Sequence, residues 1–145
     1  RITDIQAALG ISQLKKINKF YKTRNEIAKI YNKGFSKNPL ISTPKVFKDV
    51  KHAYHLYTII IDFKKLKKTR NEVMLSLKKF NIGTQVLYIP VHLQPYYKKK
   101  YNYKLGDFPK AENYYKNCLS IPIFYGMKKK EINLVINKIN NIIKI

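Results

Sequence analysis

Ala53-Tyr54-His55-Leu56-Tyr57-Thr58-Ile59-Ile60-Ile61 is the stretch that decides the fold. Aromatic and β-branched residues crowd it, and they suit a half-buried strand better than a helix. Helical patterns flank it on both sides. Upstream, Ile2, Ile5 and Leu9 recur at three- and four-residue steps, as do Leu14, Ile17, Phe20/Tyr21, Ile27/Ala28 and Tyr31, which predicts one long amphipathic helix over residues 1–33. Thr3 with Gln6 forms a capping box at its start, and Gly34 followed by Pro39 stops it. A helix that opens almost on the first residue hints at a segment upstream. Residues 39–51, with Pro44 and mixed polarity, read as loop or edge structure.

Downstream, Thr69 and Glu72 make a second capping box, opening a helix whose Val73, Leu77 and Phe80 face inward and which Asn81 and Gly83 end. Residues 83–89 read as a strand broken by Pro90. Residues 91–109, with Pro95, four tyrosines, Gly106 and Pro109, read as an irregular excursion. Asp107 is placed to cap a helix reaching Cys118, with Ala111 and Tyr114/Tyr115 on its apolar side. Residues 119–123 form a short strand interrupted by Pro122, hence an edge or terminal piece. A last helix from Lys129 carries Ile132, Val135/Ile136, Ile139 and Ile142/Ile143 in register. There is no internal repeat and no flexible linker. The order α, β, α, β, short α, β, α predicts one α+β domain, with helices on one face of a small antiparallel or mixed sheet.

The 145 residues suit one domain, and 45% apolar content with 13% aromatics argues against disorder. No apolar run approaches the roughly 18 residues of a membrane span, and a chain that opens Arg1-Ile2-Thr3-Asp4 and runs straight into a helical pattern is expected to have no signal peptide. A single cysteine, Cys118, excludes an intrachain disulfide and a cysteine-based metal cluster, so a cytoplasmic domain is expected. The 30 basic against 8 acidic residues give a net charge of +22, which invites a polyanionic partner. Yet arginine, with its planar fork suited to phosphates and bases, occurs only at Arg1, Arg24 and Arg70. Lys, Asn, Ile and Tyr make up roughly half of the chain, far above ordinary usage. These four share A/T-rich codons, so compositional drift is the leading account of the charge and a nucleic-acid surface its rival.

His52 and His55 stand three apart on the approach to a strand, with no acidic residue at ligand spacing, which disfavours a metal site. No nucleophile elbow, P-loop or Gly-x-Gly-x-x-Gly run is present. Cys118 reads as packing. The compositional outlier is Gln85-Val86-Leu87-Tyr88-Ile89-Pro90-Val91-His92-Leu93-Gln94-Pro95-Tyr96-Tyr97. It is either a rigid aromatic surface loop or the wall of a binding site, where Tyr and His stack on rings and bond sugar hydroxyls.

Five ordered blocks bear on that choice. Arg1-Ile2-Thr3-Asp4-Ile5-Gln6-Ala7-Ala8-Leu9-Gly10 with Gln13-Leu14, Ala53-Tyr54-His55-Leu56-Tyr57, Ile82-Gly83-Thr84-Gln85-Val86-Leu87-Tyr88-Ile89-Pro90-Val91-His92, Gly106-Asp107-Phe108-Pro109-Lys110-Ala111-Glu112 and Leu119-Ser120-Ile121-Pro122-Ile123 span nearly the whole chain. Together they resemble the C-terminal part of the DegT/DnrJ/EryC1/StrS sugar aminotransferases. The run from His92 to Tyr97 is most similar to the subgroup of UDP-4-amino-4,6-dideoxy-N-acetyl-β-L-altrosamine transaminases, which serve pseudaminic acid synthesis.

The resemblance implies a fold-type I, pyridoxal-phosphate homodimer that moves an amino group, usually from glutamate, onto the keto carbon of a nucleotide-linked sugar. It implies a Schiff-base lysine in a His-x-x-Lys context within a large domain, and none of the 27 lysines here has that context. The chain therefore resembles the small domain alone, with no catalytic residue of its own and no activity in isolation. Tyr88 and His92 match the loop facing the nucleotide-sugar, while Leu87 stands where many members have histidine. Gln85, Gln94 and Tyr96 are further candidates for sugar contacts. Arg1 matches the arginine of the family's Asn-Tyr-Arg stretch. The rival readings are a basic nucleic-acid-binding module and a non-catalytic interaction domain that keeps the fold.

Overall fold

Residues 1–144 are described by the structure, a computed structural model. Strands β1 (Ile41–Ser42), β2 (Tyr57–Ile61) and β3 (Cys118–Ile121) form an antiparallel sheet in that order. Ile41 pairs with Ile61 across the first ladder, and Tyr57, Ile59 and Ile60 pair with Ile121, Leu119 and Cys118 across the second. Tyr57, Ile59 and Ile61 of β2 are wholly buried and alternate with half-buried Thr58 and Ile60, the period-two signature of one core face. The expected α+β architecture is present.

The helices are α1 (Asp4–Leu14), α2 (Ile17–Phe35), α3 (Phe63–Leu66), α4 (Arg70–Lys78), α5 (Pro95–Tyr101), α6 (Pro109–Asn117) and α7 (Lys129–Ile142). α2 packs on α7, α7 on α4, and α6 beside β2. The periodicity of the last helix holds, with Ile132, Val135, Ile136 and Ile139 buried. Both capping boxes form: Thr3 and Gln6 exchange bonds at α1, Thr69 and Glu72 at α4. The Thr69 backbone N–H and hydroxyl bond the Glu72 carboxylate and hold its pKa below the usual range.

The single helix expected over residues 1–33 is two helices, parted at Lys15 and Lys16. Lys15, Lys16 and Lys19 stand at three- and four-residue steps there, where like charges disfavour a continuous helix. α2 buries Ile27, Ala28, Tyr31 and Phe35, whereas α1 buries nothing. Nor does Gly34 stop α2; the helix runs through it to Phe35. Gly34 is there for contact, since a Cβ on it would lie 2.7 Å from Ile136 Cδ1 and 2.8 Å from Cγ2.

β2 is shorter at its start than the sequence suggests. Tyr54 takes a left-handed φ of 46°, uncommon for an aromatic residue, and Arg24 Nη1 donates to the carbonyls of Tyr54, His55 and Ile123 at 2.8, 3.0 and 3.2 Å. The strand expected at 83–89 is reduced to one antiparallel bridge between Gln85 and Ser120. Extension is blocked at both ends: Pro122 has no N–H to donate, and the Cys118 N–H is spent on the Tyr114 carbonyl at the end of α6. β3 is the terminal strand of the sheet, as expected, with all four residues buried and the single bridge to Gln85 on its outer side. Cys118 is buried as expected, in β3 rather than in a helix.

Phe80, expected to face inward, lies beyond the end of α4; it is exposed, with Lys138 Nζ 3.8 Å from its ring centre. The excursion at 91–109 contains a 3₁₀ turn (Val91–Leu93) and α5, which Pro95 opens and left-handed Asn102 ends. Asp107 does not cap α6; its carboxylate accepts the Lys104 N–H at 2.9 Å. Of the expected apolar side of α6, Tyr114 is exposed and Tyr115 half-buried.

Replacing Gly34 by Ala sets a helix-propensity gain of up to about 1 kcal/mol against overpacking of about 1–3 kcal/mol. The variant is expected to be less stable by roughly 1 kcal/mol in denaturant unfolding. In an Ile136→Ala background the same change is expected to stabilise, because the atoms that a Cβ would strike are gone.

Candidate functional site

The Gln85–Ser120 bridge fixes where the aromatic segment leaves the sheet. The Gln85 N–H donates to the Ser120 carbonyl at 3.1 Å, and the Gln85 carbonyl accepts from the Ser120 N–H at 2.8 Å. Beyond it, Val86 and Leu87 are half-buried while Tyr88 stands 87% exposed. Pro90 then leads into the 3₁₀ turn. Gln94 folds back, its Nε2 donating to the Ile89 carbonyl at 3.1 Å, so it braces the loop. Tyr96 is exposed on α5, its hydroxyl 3.2 Å from Lys100 Nζ. The Gln85 side chain is exposed, and Arg1 lies exposed ahead of α1.

His92 is different, because it is buried. Its Nε2 lies 2.9 Å from Glu112 Oε1, and the same oxygen accepts the backbone N–H groups of Gly106 at 2.8 Å and Phe108 at 3.4 Å. Burial pushes the Glu112 carboxyl pKa up, but the Gly106 N–H, the His92 ring and the Phe108 N–H together outweigh that and hold it below the usual range. An ionised carboxylate only accepts, so Nε2 carries the proton. One oxygen thus ties the 3₁₀ turn, the 102–108 loop and the first turn of α6 together.

Around this clamp the rings of His92, Tyr97, Tyr101, Tyr103 and Phe108 line a cavity of about 460 Å³. Tyr103 meets Phe108 edge-on at 5.3 Å between ring centres, and His92 lies 4.7 Å from Phe108. The structure therefore brings His92 together with Glu112, Tyr103 and Phe108, none of which the sequence reading singled out. An acid in the first turn of a helix, just after a Gly-containing turn, was the available signal for Glu112. His52 serves the loop before β2: its Nδ1 accepts the Tyr54 N–H at 3.1 Å and its carbonyl accepts Asn25 Nδ2 at 3.0 Å. His55 is exposed. Among the described residues, no three His, Cys, Asp or Glu side chains are grouped to hold a metal ion.

A small antiparallel sheet backed by helices, with a braced aromatic loop bridged to its last strand, is a fold shared with sugar aminotransferases. It matches Helicobacter pylori PseC, an aminotransferase involved in the biosynthesis of pseudoaminic acid, with a TM-score of 0.87 at 27% identity, over 99% of this chain and 38% of that one. The chain belongs to the DegT/DnrJ/EryC1/StrS aminotransferase family, whose sequence profile matches residues 1–140. It is 46% identical over 142 residues to the spore coat polysaccharide biosynthesis protein SpsC of Bacillus subtilis, covering 97% of this chain and 36% of SpsC. It is 39% identical over 137 residues to a UDP-4-amino-4,6-dideoxy-N-acetyl-beta-L-altrosamine transaminase of Campylobacter jejuni, covering 93% of this chain and 35% of that protein. The chain spans about a third of the length of these curated relatives.

Aminotransferases of this family are pyridoxal-phosphate enzymes, and a lysine that holds the cofactor as an imine is activated by desolvation or a neighbouring cation. The described residues do not fit that role. Every lysine here is exposed except Lys138, which is half-buried against the Phe80 ring. No step of cofactor chemistry is assigned to this chain's residues.

Because the folded-state pKa of Glu112 is depressed, its contribution to stability is present above the ordinary carboxylate value of 4.5. It is lost as pH falls through the lower, folded value. Glu112→Gln is therefore expected to lower the unfolding temperature at neutral pH. Thermal melts taken from neutral to acid pH should show the gap to the unmodified chain closing below that range; a constant gap would mean that the carboxylate's ionisation does not act.

Proposed function

We propose that residues 1–145 are the C-terminal small domain of a pyridoxal-phosphate-dependent aminotransferase acting on a nucleotide-linked 4-keto-6-deoxy sugar, with glutamate as amino donor. The observation that carries this reading is the family match over residues 1–140 in a chain about a third as long as its relatives. Pseudaminic acid or a related surface glycan is the favoured product pathway, supported by identity to the Campylobacter transaminase and by likeness to PseC. The complete enzyme acts as a cytoplasmic homodimer, with the cofactor and its lysine supplied by a large domain. The isolated chain is inactive.

α1 supports this division. Ile2, Ile5, Leu9, Ile11, Leu14 and Ile17, on and beside it, are 54–84% exposed. In a chain with 30 basic residues, α1 itself carries no lysine or arginine. An apolar, uncovered helix whose one charge is Asp4 in its first turn, in so basic a chain, is a surface made to be covered. The large domain is its cover.

In the substrate site Tyr88 and His92 have distinct roles. Tyr88 reaches out to the sugar, and His92, clamped by Glu112, fixes the loop and offers its remaining nitrogen. Gln85 and Tyr96 flank them, Gln94 holds the backbone, and Arg1 acts from the far end of α1.

The test is a chimera in which this chain replaces the matching third of Bacillus subtilis SpsC. The chimera is expected to retain cofactor and to aminate a UDP-linked 4-keto-6-deoxy sugar with glutamate, with Tyr88→Ala raising KM about tenfold. A cofactor-loaded chimera that turns over none of a panel of UDP-, dTDP- and GDP-linked keto sugars overturns the reading.

Ile5→Glu with Leu9→Glu should leave the isolated chain's stability within about 0.5 kcal/mol, as for other surface positions. In the chimera the same pair should weaken cofactor retention and lower the unfolding temperature. Equal behaviour in both settings would show that nothing covers α1.

A further inference from the structure

We propose that α5 and the turn after it form a docking face for an anionic phospholipid surface. Leu105 and Tyr96 enter the headgroup layer, and Lys98, Lys99, Lys100 and Lys104 lie over the lipid phosphates. The contact is peripheral, since no helix among the described residues is long and apolar enough to cross a membrane. It is independent of the amination reading.

Three observations carry it. The first is charge without compensation. No Asp or Glu occurs between Glu72 and Asp107, a span that includes all of α5. Lys98, Lys99, Lys100 and Lys104 are exposed, and none is in an ion pair among the described residues. Asp107 accepts the Lys104 backbone N–H at 2.9 Å. A negative lipid surface draws such a cluster with about a fivefold gain in partitioning per lysine.

The second is the apolar and amphipathic side chains set among those charges. Leu105 is 74% exposed and Tyr96 62%. Lys100 Nζ lies 5.5 and 5.4 Å from the ring centres of Tyr96 and Tyr101, and 3.2 Å from the Tyr96 hydroxyl. Tyrosine suits the headgroup level, where its ring is apolar and its hydroxyl stays wet. Lysine stems cover apolar surface while their ammonium groups remain in water.

The third is rigidity. Tyr97 and Tyr101, one turn apart, line the aromatic cavity, so at about 3.6 residues per turn Lys98 and Lys99 point away from it. Tyr97 meets Tyr101, Tyr101 meets Tyr103 and Tyr103 meets Phe108, at 6.2, 5.5 and 5.3 Å between ring centres. Asn102 at φ 55° and Gly106 at φ 102° turn the chain on either side of Leu105. A packed scaffold thus presents the leucine, and its insertion costs little ordering entropy.

Composition separates this face from α1. α1 is apolar and without lysine, as suits a protein cover; α5 and its turn mix apolar residues with four lysines, as suits lipid. A nucleic-acid face would favour the arginine fork, and no arginine follows Arg70. An aliphatic tip such as Leu105 also offers a base neither a ring to stack on nor a hydrogen bond.

The test uses the 145-residue chain, which has no tryptophan, carrying Leu105→Trp, Phe47→Trp on another exposed loop, or Leu134→Trp on α7. With vesicles of phosphatidylglycerol and phosphatidylcholine, only Leu105→Trp is expected to shift to the blue and to be quenched by brominated acyl chains. Co-sedimentation is expected to weaken by more than about tenfold when Lys98, Lys99 and Lys100 are all changed to Gln. Changing Lys128, Lys129 and Lys130 instead removes the same charge and should weaken it by no more than about threefold. Leu105→Ser alters no charge and should weaken it by about fivefold. Absence of binding to these vesicles, no shift at Leu105, an equal shift at Phe47 or Leu134, or equal losses from the two lysine triples each overturns the proposal. Retention by poly(U) RNA that outlasts vesicle binding as salt rises, with Leu105→Ser affecting neither, assigns the face to nucleic acid and overturns it too. The chimera's turnover is measured without lipid, so the amination reading stands or falls separately.

Discussion

Pro122 is where the sheet and the longest core helix are tied together. It has no N–H, so β3 cannot be extended past Ile121 on the side where Gln85 approaches. Its carbonyl would be orphaned in the core, but the Tyr31 hydroxyl donates to it at 2.7 Å from the middle of α2. Tyr31 is wholly buried, packed on Phe35 and Tyr57, and burial pushes its hydroxyl pKa well up, so it stays a donor at any ordinary pH. One hydrogen bond thus registers α2 against the end of β3. On the other side of the Gln85–Ser120 bridge the Cys118 N–H is spent on the Tyr114 carbonyl, which halts the ladder there and releases residues 86–94 from the sheet to form a loop.

Scarce acidic residues are used in a consistent way. Glu72, Glu131, Asp62, Asp107 and Glu112 each accept a backbone N–H near a helix end or turn, and the ion pairs are limited to Asp62 with Lys65 and Glu112 with His92 among the described residues. Surface ion pairs contribute little, whereas an unmade bond at a helix terminus costs more. The net charge of +22 is therefore left almost uncompensated, and nearly every lysine stays on the surface. The charge sets the field around the domain without setting its fold.

What was legible in the sequence was local. Both Thr-x-x-Gln/Glu boxes and the periodicity of α7 depend on residues within one or two turns, and they form as read. The misread elements depend on partners distant in the chain. Residues 83–89 have strand composition, but Pro122 and the Tyr114 carbonyl decide how much of a strand they make. Gly34 resembles a helix stop until Ile136 is seen against it. Asp107 has the chemistry of a cap, yet Glu112 gathers the free N–H groups because its carboxylate also meets His92. The candidate loop was visible as a compositional outlier; its rigid side, made of Glu112, Tyr103 and Phe108, was not, because those residues lie 11 to 20 positions away from His92.

α2 connects the two surfaces that matter. At its N-terminal end it follows α1, whose apolar residues are uncovered; at its C-terminal end it is buried under α7. Between them Arg24 gathers three carbonyls, two from the left-handed turn before β2 and one from Ile123 just past β3. Holding Tyr54 at positive φ costs of order 1 kcal/mol or more, and the structure tolerates it because the Arg24 fork, the His52 ring and Asn25 fix that turn from separate directions. The two strands that frame the site are therefore tied directly to the helix that adjoins α1. A body docked on α1 is then joined to the loop carrying Tyr88 through α2 and the sheet, with the turn at Lys15 and Lys16 as the break between α1 and that path.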